Sequence, residues 1–366
     1  MSRETRVPYN PPFAFHPGVF LTEKLEEMKM SNKEFALRTN KPEKTITAII
    51  KGESSITPDM AVVFETALGI PAHMWMRKQQ RFDEFKARER RDELIKESIP
   101  WMKRFPVAEM IKKGWLPEVK TVEEKTRILL SYFGFSTHES WSRYYIDQEL
   151  KVAFRISLAP SREPEAISAW LRKGELDARA LQASEFSPAK LKNILPDLKS
   201  LMAKHPADFH LKLQEILLSV GVRLVFTPCI KKAPVNGVTR WLDNETPLIQ
   251  ISGRHKRNDI FWFTLFHEIG HILLHGKKDI FIDSDDATHM SEAELEANDF
   301  AVQWTFPKSQ EEIVTRELPI TIEKIKSYSV KFGTHPGLIL GRLQHNRLIP
   351  HGFGNELFVP VKLFSE

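Results

Sequence analysis

The feature that most constrains this chain is an apolar, helix-forming segment that carries two histidines and a glutamate. The segment reads FWFTLFHEIGHILLH and places His267, Glu268 and His271 in the pattern H-E-x-x-H. Residues i and i+4 of a helix lie one above the other, about 5–6 Å apart, so both imidazoles can reach a single ion. The apolar neighbours predict a buried helix, in which histidines beside a carboxylate are costly unless they are paired or coordinated. The pattern therefore predicts a zinc site, with Glu268 placed to act as general base on a zinc-bound water.

A third zinc ligand is expected from the helix predicted to open at Ser291, because a catalytic zinc site usually has three protein ligands. That helix offers the acids Glu292, Glu294, Glu296 and Asp299. Ser291 and Glu294 match a capping box, which would engage Glu294 with the helix end. The expected buried stripe consists of Ala293, Ala297, Phe300, Ala301 and Trp304. Glu296 borders this stripe more closely than Asp299 does, so we predict Glu296 as the ligand, with the other acids as alternatives.

These two segments, HEIGHILLH and ELEANDFAVQWTFP, resemble the ImmA/IrrE family of zinc metallopeptidases over about residues 220–310. The resemblance implies a zincin-like domain with Zn2+ on His267, His271 and Glu296 and with a catalytic Glu268. His275 lies one turn beyond His271, where it is a candidate for substrate binding; a structural hydrogen bond is the alternative. The preceding segment RWLDNETPLIQIS fits a zincin edge strand, on which an extended peptide could pair.

The first 80 residues read as a string of short helices. Ser31 and Glu34 form a capping box, and Asn40 suits the left-handed turn that ends the helix they begin. The next short helix spans about residues 43–51 and stops at Gly52. Two short helices joined by a tight turn predict a helix-turn-helix unit.

This unit resembles HigA-type antitoxins and the wider Xre class of regulators, which have a lambda-repressor-like bundle. The segments that carry the resemblance are HPGVFLTEKL, SNKEFALRTNKPEKTITAIIKGESSITPDMA and ALGIPAHMW. In such a fold the second short helix enters the major groove of DNA. The residues expected at base edges are Glu43, Lys44, Thr45 and Thr47, and those expected at phosphates are Asn32, Lys41 and Lys51. Two residues depart from the usual pattern, Asn40 in place of Gly and Pro42 in place of a hydroxyl N-cap; a bundle that binds only protein is the alternative.

The order of patterns along the chain predicts a mainly α protein with a small β-sheet, of the α+β class. We expect a helix-turn-helix domain over residues 1–80, a charged linker helix and helical middle region over 81–209, and a zincin-like domain over 210–366. Short β-branched runs at 222–227, 237–242 and 248–252 predict the strands of the sheet. The long zinc-site helix is expected from Asn258 to His275.

Composition narrows the function classes. A single cysteine, Cys229, permits no internal disulfide and fits a reducing compartment. The polar start lacks the build of a secretory signal, and no stretch approaches the roughly 18 apolar residues of a membrane span. We therefore expect a cytoplasmic protein without a membrane role. The net charge of +5 is compatible with a nucleic-acid partner but does not establish one.

These features predict a DNA-binding transcriptional regulator, an antitoxin or autorepressor, joined to a zinc-dependent endopeptidase domain. The expected partners are a double-stranded DNA operator, a second copy in a homodimer, and a toxin or repressor protein. The alternative is a non-proteolytic repressor or antitoxin whose zincin-like domain senses a ligand or binds a toxin.

Overall fold

A computed structural model describes residues 13–149, 164–275, 281–283 and 292–364. The chain divides into two compact units, Met1–Glu97 and Ser98–Glu366, which we call unit 1 and unit 2. The described residues are mainly helical with one small sheet, as the sequence predicted. Within this part of the chain, no helix is both long enough and apolar enough to span a bilayer.

Unit 1 is a helical bundle built around the predicted helix-turn-helix. Its helices are α1 (Pro17–Glu27), α2 (Asn32–Arg38), α3 (Glu43–Ile50), α4 (Pro58–Leu68) and α5 (Ala72–Glu97). Ser31 caps α2 by accepting from the backbone N–H of Glu34 at 3.1 Å. Asn40 takes the left-handed conformation in the turn, with φ of 48°, and Pro42 precedes α3 with extended backbone angles. The turn residues that depart from the usual pattern therefore still produce a helix-turn-helix geometry.

An aromatic and aliphatic core holds the five helices of unit 1 together. Ile46 and Ile49 of α3 and Phe35 of α2 are fully buried in it. Phe64 links the two parts of the bundle, since its ring lies 4.9 Å from Phe35 and 5.6 Å from Trp75 of α5. The buried face of α3 thus fixes the rotation of this helix about its own axis, and the opposite face is left in solvent.

The densely charged segment that begins at residue 81 forms the C-terminal part of α5. Pairs of opposite charge three or four residues apart line this helix, such as Arg88 with Glu84 at 2.6 Å and Lys86 with Glu89 at 2.9 Å. Such pairs stabilise an exposed helix by a few tenths of a kcal/mol each, roughly 0.2–0.5. The helix prediction for this segment agrees with the structure.

Unit 2 begins with helices that precede the sheet. They are α6 (Ile99–Met102), α7 (Val107–Lys112), α8 (Val122–Phe133), α9 (His138–Ser142), a π-helix (Arg143–Glu149), α10 (Pro164–Ala180), α11 (Pro188–Asn193), α12 (Leu195–Lys204) and α13 (Phe209–Ser219). Helix α10 lies against the sheet, where Trp170 donates from Nε1 to the Thr227 carbonyl at 3.0 Å and Gln250 donates to the Trp170 carbonyl at 2.7 Å.

The sheet has the strand order β1-β3-β2-β4. Its strands are β1 (Arg223–Phe226), β2 (Gly237–Trp241), β3 (Pro247–Ile251) and β4 (Phe281–Asp283). Strand β3 pairs in parallel with β1 and antiparallel with β2, and β2 also pairs antiparallel with β4. The expectation that the β2–β3 segment supplies an edge strand is wrong, because both strands have neighbours on both sides and β1 and β4 form the edges of the described sheet.

The predicted zinc-site helix is α14 (Asn258–Leu274), and it packs across the sheet and against α15 (Glu292–Thr305). Its apolar face enters the main core of unit 2, where Trp262, Leu265, Phe266 and Ile269 are fully buried. Gly270 allows the close approach of α15, since a Cβ there would lie 3.3 Å from the Ala297 Cα. This contact brings the acids of α15 to the histidines of α14.

The chain ends in a helical layer behind these two helices. It comprises α16 (Lys308–Thr315), α17 (Ile322–Phe332), α18 (Pro336–His345) and a 3-10 turn (Asn355–Leu357). Buried apolar side chains such as Ile325, Ile339 and Leu343 form a second core here. The Asn258 side chain at the start of α14 contacts His335 Nδ1 at 2.9 Å and accepts from the Val359 backbone at 3.0 Å, which ties the layer to the site helix.

Candidate metal centre and nucleic-acid interface

Two imidazoles of α14 face the same point, as the spacing of the pattern predicted. The Nε2 atoms of His267 and His271 lie 2.9 Å apart, and both side chains are almost fully buried. The carboxylate of Glu294 lies opposite them, with Oε2 3.1 Å from His267 Nε2 and Oε1 3.6 Å from His271 Nε2. One ligand atom from each of the three residues falls within 4.8 Å of the others. This set of two nitrogens and one oxygen matches the His2Glu sites that bind zinc.

The choice of Glu296 as third ligand has to be corrected to Glu294. The buried face of α15 consists of Glu294, Ala297, Ala301, Val302 and Thr305. Glu296 lies off this face, more than half exposed, and contacts His275 rather than the two imidazoles. Asp299 is exposed and pairs with Lys308. The capping residue proposed for this helix, Ser291, lies outside the described residues.

The electrostatics of the site favour the protonation states in which these groups bind a metal ion. Burial lowers the pKa of His271 to about 4, so the imidazole is neutral at pH 7. Burial opposes ionisation of Glu294, but its contacts with the His267 and His271 imidazoles outweigh burial and hold the pKa of this carboxyl at about 2. Neutral imidazole and ionised carboxylate are the ligand forms that metal binding requires.

Each imidazole has a second protein contact on its outer nitrogen. Asn298 Oδ1 lies 3.0 Å from His267 Nδ1, and a carbonyl oxygen can only accept, so His267 donates from Nδ1. His275 Nδ1 lies 2.9 Å from His271 Nδ1. These contacts direct both Nε2 atoms toward Glu294. Two imidazole nitrogens and a carboxylate oxygen thus converge at one point, an arrangement that a bound cation stabilises. The donor set therefore fits a divalent metal ion.

Glu268 lies on the sheet side of α14 and is fully buried. Its backbone carbonyl accepts from Thr239 Oγ1 of β2 at 3.0 Å. The carboxylate lies over Gly237, where a Cβ would come within 2.5 Å of Oε1. The first residue of β2 thus has no side chain because the carboxylate occupies that space, a contact that the sequence pattern did not reveal.

The same side of α14 continues into a cavity of about 420 Å³. Phe263 and Thr264, one turn before His267 and Glu268, line it together with Val302 of α15 and Arg342 of α18. The ring of Phe263 also stacks beside the His267 imidazole, with centroids 6.5 Å apart. The cavity therefore reaches residues one helical turn from the candidate metal centre and is large enough for a side chain of a bound molecule.

The residues predicted to bind DNA lie on or beside α3 in unit 1. Lys44, Thr47 and Lys51 lie on the side opposite to the buried Ile46 and Ile49, and both lysines are exposed. Of the remaining predicted residues, Glu43 and Thr45 lie on α3, Lys41 in the turn before it, and Asn32 at the start of α2. Lys44, Thr47 and Lys51 thus share the exposed side of α3.

Comparison with known proteins finds a matching family for each of two parts of the chain. The helix-turn-helix family matches residues 21–75. The uncharacterized HTH-type transcriptional regulator YddM of Escherichia coli (strain K12) is 30% identical over 63 residues, which are 17% of this chain and 67% of that protein. The chain belongs to the helix-turn-helix family of transcriptional regulators. The IrrE N-terminal-like domain, a peptidase family, matches residues 219–337 of this regulator. Both family assignments made from the sequence are confirmed.

Solved structures similar to this regulator match a fifth to under a third of its length. A putative antidote protein of a plasmid maintenance system from Nostoc punctiforme has 30% identity, over 22% of this chain and 88% of that one, with a TM-score of 0.22. An addiction module antidote protein of a HigA family from Coxiella burnetii has 29% identity, over 29% and 96%, with a TM-score of 0.20. PA4674 from Pseudomonas aeruginosa, solved with its operator DNA, has 25% identity, over 20% and 82%, with a TM-score of 0.20.

Proposed function

We propose that the protein is a DNA-binding regulator whose IrrE-like domain is a zinc-dependent peptidase. The observation that carries the peptidase half is the convergence of His267, His271 and Glu294 beside the buried Glu268. Zinc bound by these three residues would lower the pKa of a water molecule and polarise a peptide carbonyl. The three ligands are buried side chains of two packed helices, so the site is rigid enough to orient a substrate.

Glu268 is the general base of this reaction. Its carboxylate takes one proton from the attacking water as the water oxygen bonds to the carbonyl carbon. The same group then gives the proton to the amide nitrogen as the C–N bond breaks, which leaves a carboxylic acid and an amine. Thr239 holds the Glu268 backbone and Gly237 leaves room for its carboxylate, so β2 fixes the position from which the proton moves.

The substrate of this peptidase is a protein bound by the regulator, a toxin or a repressor. The support for a peptide substrate is the cavity of about 420 Å³ beside the site, which can hold a side chain next to a scissile bond. Hydrophobic residues such as Phe263, Val302 and Leu338 contribute to its lining. We expect a large apolar side chain to fit it better than a charged one.

Intact-mass analysis tests the peptidase. Zinc-loaded wild type and Glu268→Gln are each expressed with the product of the adjacent gene, and all chains are weighed. We expect wild type to yield two fragments whose masses sum to the intact chain plus one water, and the variant to leave the partner intact. If both proteins bind zinc and leave every partner at its full mass, the peptidase is the wrong function. A ligand-sensing or toxin-binding domain would then replace it.

The proposed DNA interface is the exposed side of α3 with the turn before it. Support comes from the match to the helix-turn-helix family and from the placement of Lys44, Thr47 and Lys51 on one side. Regulators of this kind bind pseudo-palindromic operators as dimers, so we propose a homodimer on double-stranded DNA. Selection of bound fragments from fragmented genomic DNA, followed by mass measurement of the complex, tests both statements. Monomeric binding without sequence preference would contradict them.

A further inference from the structure

His275 connects His271, the second metal-ligand candidate, to the carboxylate of Glu296 at the protein surface. Its Nδ1 lies 2.9 Å from His271 Nδ1, and its Nε2 lies 3.0 Å from Glu296 Oε2. The His275 side chain is 9% exposed and that of Glu296 is 55% exposed, so the connection runs from the buried site outward. The mechanism proposed above uses neither contact.

The direction of these hydrogen bonds follows from the chemistry of the Glu296 carboxylate, the last group in the series. An ionised carboxylate only accepts, so His275 must donate from Nε2. A neutral imidazole carries one N–H, and the Nδ1 of His275 is therefore an acceptor. His271 then donates from its own Nδ1, and its Nε2 keeps a lone pair that faces His267 and Glu294.

His267, the first ligand candidate, is oriented by Asn298, which lies on α15 as Glu296 does. Asn298 accepts from His267 Nδ1 and leaves its Nε2 with a lone pair. Helix α15 therefore contributes the third ligand at residue 294, one orienting group at 296 and the other at 298. Outer partners of metal-bound histidines set the tautomer and typically change metal affinity by about 10–100-fold.

We propose that Glu296, acting through His275, is a positioning residue that holds His271 in the tautomer whose Nε2 can bind a divalent metal ion. The proposal rests on the proposed function, because it concerns the same site. It also replaces the substrate-binding role considered for His275, since both of its ring nitrogens contact protein groups.

Substitutions of Glu296 that differ in hydrogen-bond direction test this proposal. The side chain is exposed, so the fold should tolerate them. Glu296→Gln keeps an acceptor oxygen and should bind zinc within about threefold of wild type, well below the roughly 10–100-fold cost of a lost outer partner. Glu296→Lys offers only donors, which reverses both hydrogen bonds and places the His271 proton on Nε2. We expect it to weaken zinc binding by about 10–100-fold. Asp299→Lys is the matched control, since it makes the same charge change on an exposed acid that contacts Lys308.

Two readouts on the full-length, metal-free protein separate the possible failures. Competition with a chelating indicator gives the zinc dissociation constant, and nitrogen NMR of labelled histidines gives the tautomers without metal. In wild type we expect His271 protonated at Nδ1 and His275 at Nε2, with both reversed in Glu296→Lys. Equal zinc affinities of Glu296→Lys and Asp299→Lys, or the opposite tautomers in wild type, would overturn the role of Glu296. If wild type shows the expected tautomers but binds no zinc, the metal site of the proposed function fails instead.

Discussion

Glu294 of α15 lies across from both imidazoles of α14, with its carboxylate oxygens 3.1 Å from His267 Nε2 and 3.6 Å from His271 Nε2. The acid two residues later, Glu296, points to a different histidine. Two positions along a helix are separated by about 200° around the axis, so these two acids cannot both contact the same pair of imidazoles. Which acid joins His267 and His271 in the candidate metal centre therefore depends on the rotation of α15 about its own axis.

Removal of Glu294 should abolish tight zinc binding. Glu294→Ala takes away one of three ligands, so we expect zinc affinity to fall by more than the roughly 10–100-fold that loss of an outer partner costs. Asp299→Ala on the same helix is the control and should bind zinc like wild type. Metal content after dialysis and a competition titration provide the measurement. A Glu294→Ala protein that retains stoichiometric zinc would show that this carboxylate is not a ligand.

The rotation of α15 also shows where sequence reasoning reached its limit. The pattern of α14 predicted that His267 and His271 face the same point, because a spacing of four residues determines which side chains share a helix face. The orientation of α15 was harder to predict, because Phe300 and Trp304 suggested a buried stripe on this helix. That stripe includes neither Glu294 nor Asn298. In the structure those two aromatic side chains are half-buried, and Trp304 stacks on Phe266 at 6.2 Å. Small residues at 297 and 301 mark the contact face, a signal that the sequence contained.

Long-range contacts set the remaining features, which no local pattern could specify. The helix-turn-helix was predictable because capping residues and turn residues act within a few positions of each other. Gly237 acquires its role only because β2 passes beneath Glu268, thirty-one residues later in the chain. The placement of His275 between His271 and Glu296 likewise requires two helices to meet.

A methyl group at Gly237 should impair the general base while leaving the metal site intact. A Cβ at this position would lie 2.5 Å from Glu268 Oε1 and 2.7 Å from Thr264 Cγ2, so the carboxylate has to move. Misplacing a reacting group by about 1 Å can lower the rate by about 100-fold, and we expect Gly237→Ala to lose roughly 10–100-fold in peptide hydrolysis.

Gly352→Ala is the control for Gly237→Ala, because nothing lies within 4 Å of a Cβ built there. Both variants should bind zinc like wild type in the competition titration. Hydrolysis is followed by intact mass against time. A Gly237→Ala protein as active as Gly352→Ala would argue against the position assigned to Glu268.

Two lysines of the α3 region should differ in how they affect DNA binding. Lys44→Ala removes a contact expected at a base edge, and we predict a loss of about 1–3 kcal/mol for the preferred operator together with weaker sequence preference. Lys51→Ala removes a phosphate contact and should weaken binding to all DNA sequences nearly equally. The slope of the logarithm of the binding constant against the logarithm of salt concentration should fall in magnitude by about 1. Lys86→Ala in α5 is the control, since that lysine pairs with Glu89.

Titrations of operator and scrambled DNA at several salt concentrations measure these differences. If Lys44→Ala and Lys51→Ala change both DNAs equally, α3 does not present Lys44 to the bases. If neither differs from Lys86→Ala, this side of the unit is not the DNA interface, and binding to protein partners becomes the better description of unit 1.

Acidification should destabilise unit 2 through His205. Trp262 of α14 donates from Nε1 to His205 Nδ1 at 2.9 Å, and burial lowers the pKa of this imidazole to about 4. The folded protein therefore holds His205 neutral, whereas the unfolded chain binds a proton below about pH 6.5. The stabilising contribution is complete above pH 6.5 and is lost progressively as the pH falls to about 4, with a slope of at most about 1.4 kcal/mol per pH unit. Solvent screening weakens the effect because the ring is only half-buried, and at pH 5 we expect a loss of about 1 kcal/mol from this group.

His205→Asn isolates this effect from that of other histidines. Asparagine tolerates the left-handed backbone at this position, where φ is 39°, and its side-chain oxygen can accept from Trp262 without titrating. Urea unfolding of unit 2 at pH 7 and pH 5 gives the free energies of unfolding for both proteins. We expect wild type to lose about 1 kcal/mol more than His205→Asn between these pH values, because only wild type must exclude a proton from this site when folded. Equal losses in the two proteins would mean that His205 is protonated in the folded state at pH 5 and that its contact with Trp262 does not depend on a neutral ring.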